Sequence, residues 1–160
     1  MGTLLVASRP KALLAALLLC AALGAAVGYS FWWMPAHGTG RLAPFTTDGC
    51  SDFPNGTRQQ KDLWLNCCIA HDKKYWAGGT AAEREAADRQ LEACVAGVGE
   101  PAIARIMLAG VRVGGSPWWP TSYRWGYGWP FSHGYRALSA EEQAQARLSL
   151  SQYESTHPAP

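Results

Sequence analysis

Hydrophobic positions divide this chain into an uninterrupted apolar run and a longer stretch with helical spacing. Residues 12–34 contain no charged side chain, and an apolar run of about 20 residues is long enough to cross a bilayer as a helix. Arg9 and Lys11 precede the run, and positive residues flank a membrane helix on its cytoplasmic side. The pattern therefore predicts an N-terminal membrane anchor over residues 1–34, with its N terminus inside.

A cleaved signal peptide is the alternative interpretation of the same run. Residues 26–28 (Ala-Val-Gly) supply the small side chains that a signal peptidase requires. Either interpretation places the remaining chain outside the cytoplasm, as a membrane-anchored domain on the extracytoplasmic side or as a secreted or periplasmic one. In an oxidising compartment an even number of cysteines favours disulfides, and four cysteines follow the apolar run: Cys50, Cys67, Cys68 and Cys94.

A loop and then a helix are expected next. Residues 35–58 are rich in Gly, Pro, Thr and Asn, which predicts a loop without regular structure. The first helix is expected to run from near Arg58 to Trp76. Gly78 and Gly79 end it, because glycine readily adopts the left-handed conformation of a helix cap.

A second helix follows after a link of only a few residues. Thr80 and Glu83 have the spacing of a capping box, which predicts a helix from there to about Val98. So short a link requires the two helices to fold back on each other as an antiparallel hairpin.

A third helix is expected from Pro101 to Gly114, since proline suits the first turn of a helix and a pair of glycines ends it. Residues 116–135 are rich in Trp, Tyr, Pro and Gly and predict an irregular aromatic loop. Apolar residues of the third helix fall on one side and are expected to pack in the core rather than to form a lipid-binding groove: Ile103, Ile106, Met107 and Gly110.

A short C-terminal helix completes the predicted fold. Ser139 and Glu142 form a second capping box, which predicts a helix to about Leu150. Residues 151–160 are expected to be a flexible tail. No strand is predicted, so the expected fold class is mostly α, with one domain over residues 35–150.

The stretch from Cys67 to Tyr75 contains the residue types of a hydrolytic site. At about 3.6 residues per turn, Cys67, His71 and Tyr75 follow one another along the helix. One antiparallel register of the two helices brings His71 opposite Asp88. Nearly the same register brings Cys67 opposite Cys94, so that a single packing satisfies both pairs.

A histidine whose far nitrogen is held by a carboxylate can take a proton from water, and His71 with Asp88 is such a pair. Asp72 is turned about 100° round the helix and cannot orient the same ring. Asp72 is instead a candidate ligand of a hard cation, completed by backbone carbonyls from residues 46–56. A cation that polarises a carbonyl, beside a base that activates water, hydrolyses esters without a covalent intermediate.

The motif Cys-Cys-x-x-His-Asp with a following Tyr, and Asp-x-x-x-x-x-Cys on the next helix, resembles that of the secreted phospholipase A2 superfamily. The resemblance covers roughly residues 46–95. It implies calcium-dependent hydrolysis of the sn-2 ester of glycerophospholipids at a membrane surface, with Ca²⁺ as cofactor and a phospholipid membrane as partner. It further implies His71 as general base, Asp88 as the carboxylate behind it and Tyr75 as a hydrogen-bond donor to that carboxylate.

The resemblance also implies a calcium site. Asp72 matches the calcium-binding carboxylate, and Gly49, Ser51 and Phe53 fall where carbonyl ligands are expected. The short link between the helices resembles the minimal, all-helical bacterial and fungal branch of the superfamily. Two disulfides are implied: Cys50–Cys68 and Cys67–Cys94.

Two alternatives belong to other classes of protein. Ser51 and Phe53 stand where the family usually has glycines, which supports a membrane-anchored binding module that keeps the fold without catalysis. A zinc site formed by the cysteines and His71 is disfavoured. Adjacent Cys67 and Cys68 point about 100° apart and suit two separate disulfides better than one tetrahedral ion.

Charge and aromatic content restrict the expected partners. The net charge is +2, and the chain has neither a basic run nor alternating aromatic and basic residues, so nucleic acid is not expected. Trp and Tyr side chains in residues 118–135 suit the headgroup zone of a bilayer, and they equally suit a lid over a small helical core.

Overall fold

The computed structural model describes residues 40–157, and the predicted anchor or signal peptide lies outside them. Within this range the chain forms four α-helices and no strand, which confirms the mostly helical prediction. None of these helices is long and apolar enough to cross a membrane. Their bounds are Leu65–Ala77 (α1), Ala81–Gly97 (α2), Pro101–Gly114 (α3) and Ala140–Thr156 (α4).

Helices α1 and α2 are joined by residues 78–80, and the predicted signals mark the end of α1 and the start of α2. Gly78 caps α1 with a φ of 71°. The Glu83 N–H donates to the Thr80 side chain, and the Thr80 N–H donates to the Glu83 carboxylate, so the capping box is formed. Both disulfides are formed as implied: Cys50–Cys68 and Cys67–Cys94.

Helix α1 begins at Leu65 and not near Arg58, which corrects the predicted start. The residues before it form turns that are held by the preceding loop. The Trp64 N–H donates to Asn55 O at 3.1 Å, and the Trp64 indole donates to Pro54 O at 2.6 Å. These bonds keep the chain out of the helix up to Trp64, because they tie it to residues nine and ten positions earlier.

The core beside the hairpin surrounds the disulfides. Helix α3 packs on α2, and the burial of its apolar residues against the cross-linked cysteines removes them from water. The buried side chains that cluster with Cys50, Cys67 and Cys68 are Trp64, Leu91, Val95, Ala104 and Met107.

The aromatic segment (residues 115–138) packs against the end of the hairpin at which α1 finishes. Trp129 Nε1 donates to Ala77 O at 2.7 Å, and Trp125 Nε1 donates to Gly79 O at 2.9 Å. Carbonyls at the end of a helix have no partner within that helix. The two buried indoles therefore supply donors that α1 and its link lack.

Helix α4 opens with the second predicted capping box and continues to Thr156, which corrects both its predicted end and the flexible tail beyond it. Side chains of the additional turns contact other parts of the domain. Tyr153 meets Phe45 edge to face, with ring centroids 4.7 Å apart. Glu154 accepts a hydrogen bond from Lys73 Nζ at 2.6 Å. Packing with residues distant in sequence thus extends a helix whose own sequence is mostly polar.

Candidate active site

His71 of α1 and Asp88 of α2 face each other inside the hairpin. His71 Nε2 lies 3.1 Å from Asp88 Oδ1 and donates a hydrogen bond to the carboxylate. Asp88 is fully buried and His71 is 8% exposed. Because the carboxylate holds the ring proton on Nε2, Nδ1 is left as the basic nitrogen of His71.

One register aligns the pairs that meet across the hairpin. As the position advances along α1, its partner moves backwards along α2, which is the order of an antiparallel hairpin. The three pairs are Cys67–Cys94, His71–Asp88 and Tyr75–Arg84. The covalent pair therefore holds the offset at which the histidine meets the carboxylate.

Tyr75 reaches the same carboxylate from the next turn of α1. Its hydroxyl donates to Asp88 Oδ1 at 2.7 Å and accepts from Arg84 Nε at 3.0 Å. Burial raises the pKa of Tyr75 above its usual range, so the hydroxyl keeps its proton and remains a donor. A Cβ on Gly115 would lie 2.5 Å from this hydroxyl oxygen, so the close approach requires glycine at that position.

Two arginines complete the surroundings of Asp88. Arg112 of α3 places its Nε 3.0 Å from Asp88 Oδ2. Within residues 40–157 no group donates a hydrogen bond to Oδ2, so the ion pair with Arg112 compensates the charge on this oxygen. Arg84 donates to the carbonyls of Val111 and Arg112, at 2.8 and 3.0 Å, near the end of α3. Arg112 of α3 thus neutralises the buried Asp88 carboxylate, which His71 and Tyr75 of α1 hold by hydrogen bonds.

Asp72 lies beside the base but has different neighbours. Its Oδ2 accepts a hydrogen bond from Thr47 Oγ1 at 2.6 Å, and the residue is 8% exposed. Burial raises the pKa of Asp72 to about 7; the Thr47 bond opposes this shift, and the charge of Asp48 adds to it. A buried carboxylate beside a second one is unfavourable unless a cation compensates it.

Two cavities meet at Asp72. The larger, of about 290 Å³, is lined by His71 and Asp72 and by apolar residues of α2 and α3: Leu91, Ile106, Met107 and Val111. The smaller, of about 210 Å³, is lined mainly by polar residues: Thr46, Thr47, Asp48, Ser51, Asp72, Ser122, Tyr123 and Tyr127. Asp72, Ser51 and Tyr123 line both cavities.

The loop that was expected to supply carbonyl ligands lies against the larger cavity. Gly49, Ser51 and Phe53 all line it together with Asp72. Gly49 has a φ of 82°, and a Cβ there would lie 2.6 Å from Asn55 Oδ1, so only glycine fits. The carbonyls of these three loop residues accept no hydrogen bond from the described part of the chain, which leaves them for a cation or for water.

The donor set fits a hard divalent cation. Ca²⁺ prefers six to eight oxygen ligands, which carboxylates and backbone carbonyls supply, and residues that carry both kinds of oxygen line the cavities with Asp72. Residues 40–157 contain no cluster of three or more His, Cys, Asp or Glu side chains that could hold a metal, so such a site depends on backbone oxygens. The four cysteines of the disfavoured zinc site are bound in disulfides.

Several residues of the site were missed in the sequence. Arg84 had a usable signal, because it lies four positions before Asp88 and so shares a face of α2 with it. Arg112 and Thr47 had none, since they reach the site from α3 and from the loop before α1. Asp48 also lines the smaller cavity with Asp72.

Comparison of the chain with protein-family models, with curated proteins and with solved structures finds no match in any of the three. The chemistry of the site itself therefore carries the assignment of function.

Proposed function

We propose that this protein hydrolyses the sn-2 ester of glycerophospholipids in a calcium-dependent reaction. One observation carries the proposal. A histidine held by a buried carboxylate lines the same apolar-walled cavity as a second carboxylate that is not engaged with that histidine. A base, a cation ligand and an apolar wall in one cavity are the requirements for hydrolysing a lipid ester.

His71 acts as the general base. Its Nδ1 takes a proton from a water molecule whose oxygen attacks the carbonyl carbon of the ester, and the departing alkoxide later takes that proton. Asp88 stabilises the imidazolium formed between these steps through its bond to Nε2. Tyr75 and Arg112 hold Asp88 in place, so the histidine ring keeps one orientation.

Asp72 and its neighbours in the two cavities would hold the calcium ion through oxygen ligands. The carboxylates of Asp72 and Asp48 would bind it, together with the carbonyls of Gly49, Ser51 and Phe53. When bound, the ion supplies the positive charge that polarises the ester carbonyl.

The apolar wall favours a lipid over a small water-soluble ester. Leu91, Ile106 and Met107 line the same cavity as His71, and apolar side chains gain free energy by burying an acyl chain. Phospholipid is available where the sequence predicts the domain to lie, outside the cytoplasm and next to a membrane. The two disulfides agree with that compartment.

A non-catalytic binding module is the second candidate. The bond from Thr47 Oγ1 to Asp72 Oδ2 favours it, because one oxygen of the carboxylate is satisfied without any cation. This candidate keeps the cavity and its lipid-binding wall but predicts no release of fatty acid.

The test measures fatty-acid release from phospholipid vesicles by the oxidised full chain while calcium is titrated. We expect release to saturate with calcium. His71→Gln should lower the rate by a factor of roughly 10²–10⁴, the usual contribution of a general base. Asp72→Asn should shift the calcium midpoint to a higher concentration, because it removes a charged ligand.

Asp62→Asn is the matched control, because Asp62 is an exposed carboxylate that precedes α1 and takes no part in the site. It should leave both the rate and the calcium midpoint unchanged. No release from a protein with both disulfides intact would replace the hydrolase with the binding module. Release that does not depend on calcium would reject the calcium site and leave a hydrolase that works without the ion.

A further inference from the structure

Helix α3 has an exposed apolar face. Ala102, Ile106, Ala109 and Val113 are exposed, and their spacing of four, three and four positions places them on one side of the helix. Ile106 is 58% exposed and Val113 is 76% exposed. The sequence expectation that Ile106 packs in the core is therefore wrong, whereas Met107 is buried as expected.

The apolar face continues into the aromatic segment that follows α3. Trp118 and Trp119 are 59% and 55% exposed. Of the six large hydrophobic residues exposed within the described range, four lie between positions 106 and 119. Clustered exposed apolar residues mark an interaction surface, whereas single scattered ones do not.

The same face borders the larger cavity. Ile106 belongs both to the exposed face and to the wall of the cavity, which His71 and Gly110 also line. An apolar path therefore leads from the outer face of α3 to the candidate active site. A partner that covers this face therefore also covers part of the cavity wall.

The charges on α3 identify the chemistry of that partner. Residues 101–114 contain two arginines and no acidic residue. Arg112 is engaged with Asp88, which leaves Arg105 as the exposed charge beside the apolar face. Basic side chains interact favourably with phosphate headgroups, and tryptophans are enriched where a protein meets the headgroup zone.

We propose that the outer face of α3, with Trp118 and Trp119, is the surface on which the domain contacts a phospholipid bilayer. The cavity then opens towards the lipid, and Ile106 lies where an acyl chain enters. This inference rests on the proposed function, which gives the domain a reason to contact phospholipid. The contact itself does not require catalysis, so the two can fail separately.

Photo-crosslinking tests the contact without using activity. Benzoylphenylalanine replaces Val113 in the full chain, which is reconstituted in phosphatidylcholine vesicles containing phosphatidylglycerol, and the adducts are identified by mass spectrometry. Position 148 is the matched control, because Leu148 is 62% exposed on α4. We expect lipid adducts from position 113 and none from position 148.

Other products would overturn the proposal. An adduct between two chains would show that a second copy covers α3, and an adduct to residues 1–39 would show that the chain covers its own face. Equal lipid labelling at both positions, or no labelling at either, would also reject a specific membrane contact at α3.

Kinetics separate the contact from the chemistry. Ala109→Asp with Val113→Asp should lower hydrolysis of vesicle phospholipid by about tenfold or more, the factor associated with losing one buried valine side chain. Hydrolysis of a short-chain phospholipid dissolved as monomers should stay within twofold, and Leu148→Asp should change neither rate. An equal fall on both substrates would contradict the surface assignment, whereas no hydrolysis by any protein would reject the proposed function and leave crosslinking to decide the contact.

Discussion

The hairpin of α1 and α2 and the aromatic segment support the candidate active site by different means. In the hairpin a disulfide holds the register, and polar residues meet inside at 3.1 Å and 2.7 Å. The aromatic segment has no cross-link and no helix within residues 115–138. Its order comes from indole and backbone hydrogen bonds to the end of α1, such as the 2.6 Å bond from the Gly126 N–H to Tyr75 O.

The difference shows how an irregular segment can be as well placed as a helix. A disulfide acts on the unfolded chain by reducing its conformational entropy. A buried indole acts in the folded state, because its loss leaves a carbonyl without a donor. Loss of a disulfide should therefore lower the stability strongly and in a way that depends on redox conditions. Loss of an indole hydrogen bond should lower it less and independently of redox conditions.

Removing the hairpin disulfide should have the largest effect on stability. The bond Cys67–Cys94 spans 27 positions, for which the entropy of loop closure predicts a loss of about 3.5 kcal/mol in the free energy of unfolding. Denaturant unfolding of the full chain with Cys67→Ala and Cys94→Ala measures this loss. Activity should fall with it, since His71 and Asp88 share the same register.

The second disulfide is the matched comparison. Cys50–Cys68 spans 18 positions, and its removal should cost about 3.2 kcal/mol. It ties the loop that is proposed to bind calcium to α1, so its loss should weaken the proposed calcium binding more than the first removal does. A negligible change in stability from both pairs would show that the hairpin does not depend on its cross-links.

Trp129→Phe should have an intermediate effect. The substitution removes the donor to Ala77 O and leaves a carbonyl at the end of α1 unsatisfied, which costs about 1–3 kcal/mol. Thermal or denaturant unfolding measures it. Trp119→Phe is the control, because that side chain is 55% exposed and its change should lie within about 0.5 kcal/mol. Equal losses from the two variants would mean that the indole bond contributes nothing.

The stability that the aromatic segment contributes should depend weakly on pH because of His133. The stability contributed by the hairpin disulfides should not show this dependence. His133 stacks on Trp129 with ring centroids 5.0 Å apart, and Arg136 lies 2.6 Å from its Nε2. Burial and the charge of Arg136 lower the pKa of His133, while Glu142 opposes them. The unfolded chain therefore binds a proton more readily, so the stability contributed by neutral His133 is complete above about pH 6.5 and is lost as the pH falls.

The comparison of unfolding free energies at pH 7 and pH 5 isolates this contribution. Wild type should lose more stability on acidification than His133→Gln, because the variant has no group to protonate there. The difference between the two proteins removes the effect of other titrating groups. His157→Gln, at the exposed end of α4, should behave as wild type. A variant that loses as much stability as wild type would exclude His133 as the source.

Local signals in the sequence predicted much of the hairpin and the ends of the helices. The capping boxes at Thr80 and Ser139 and the glycine after α1 are formed as expected. Such features depend on residues within three or four positions, which a single sequence displays directly. The start of α1 and the end of α4 were wrong because contacts with distant loops and side chains decided them.

By itself the sequence determined the helical hairpin, the register at which His71 meets Asp88, and the position of Asp72 beside the base. Periodicity and the spacing of cysteines specify these features, because they involve two neighbouring helices with a link too short to allow another arrangement. Only the tertiary structure decided that Arg112 neutralises Asp88, that Thr47 binds Asp72, and that α3 turns an apolar face to solvent. Those outcomes depend on how a third helix and two loops pack on the hairpin, and the free energy of that packing is summed over many distant contacts that no local pattern records.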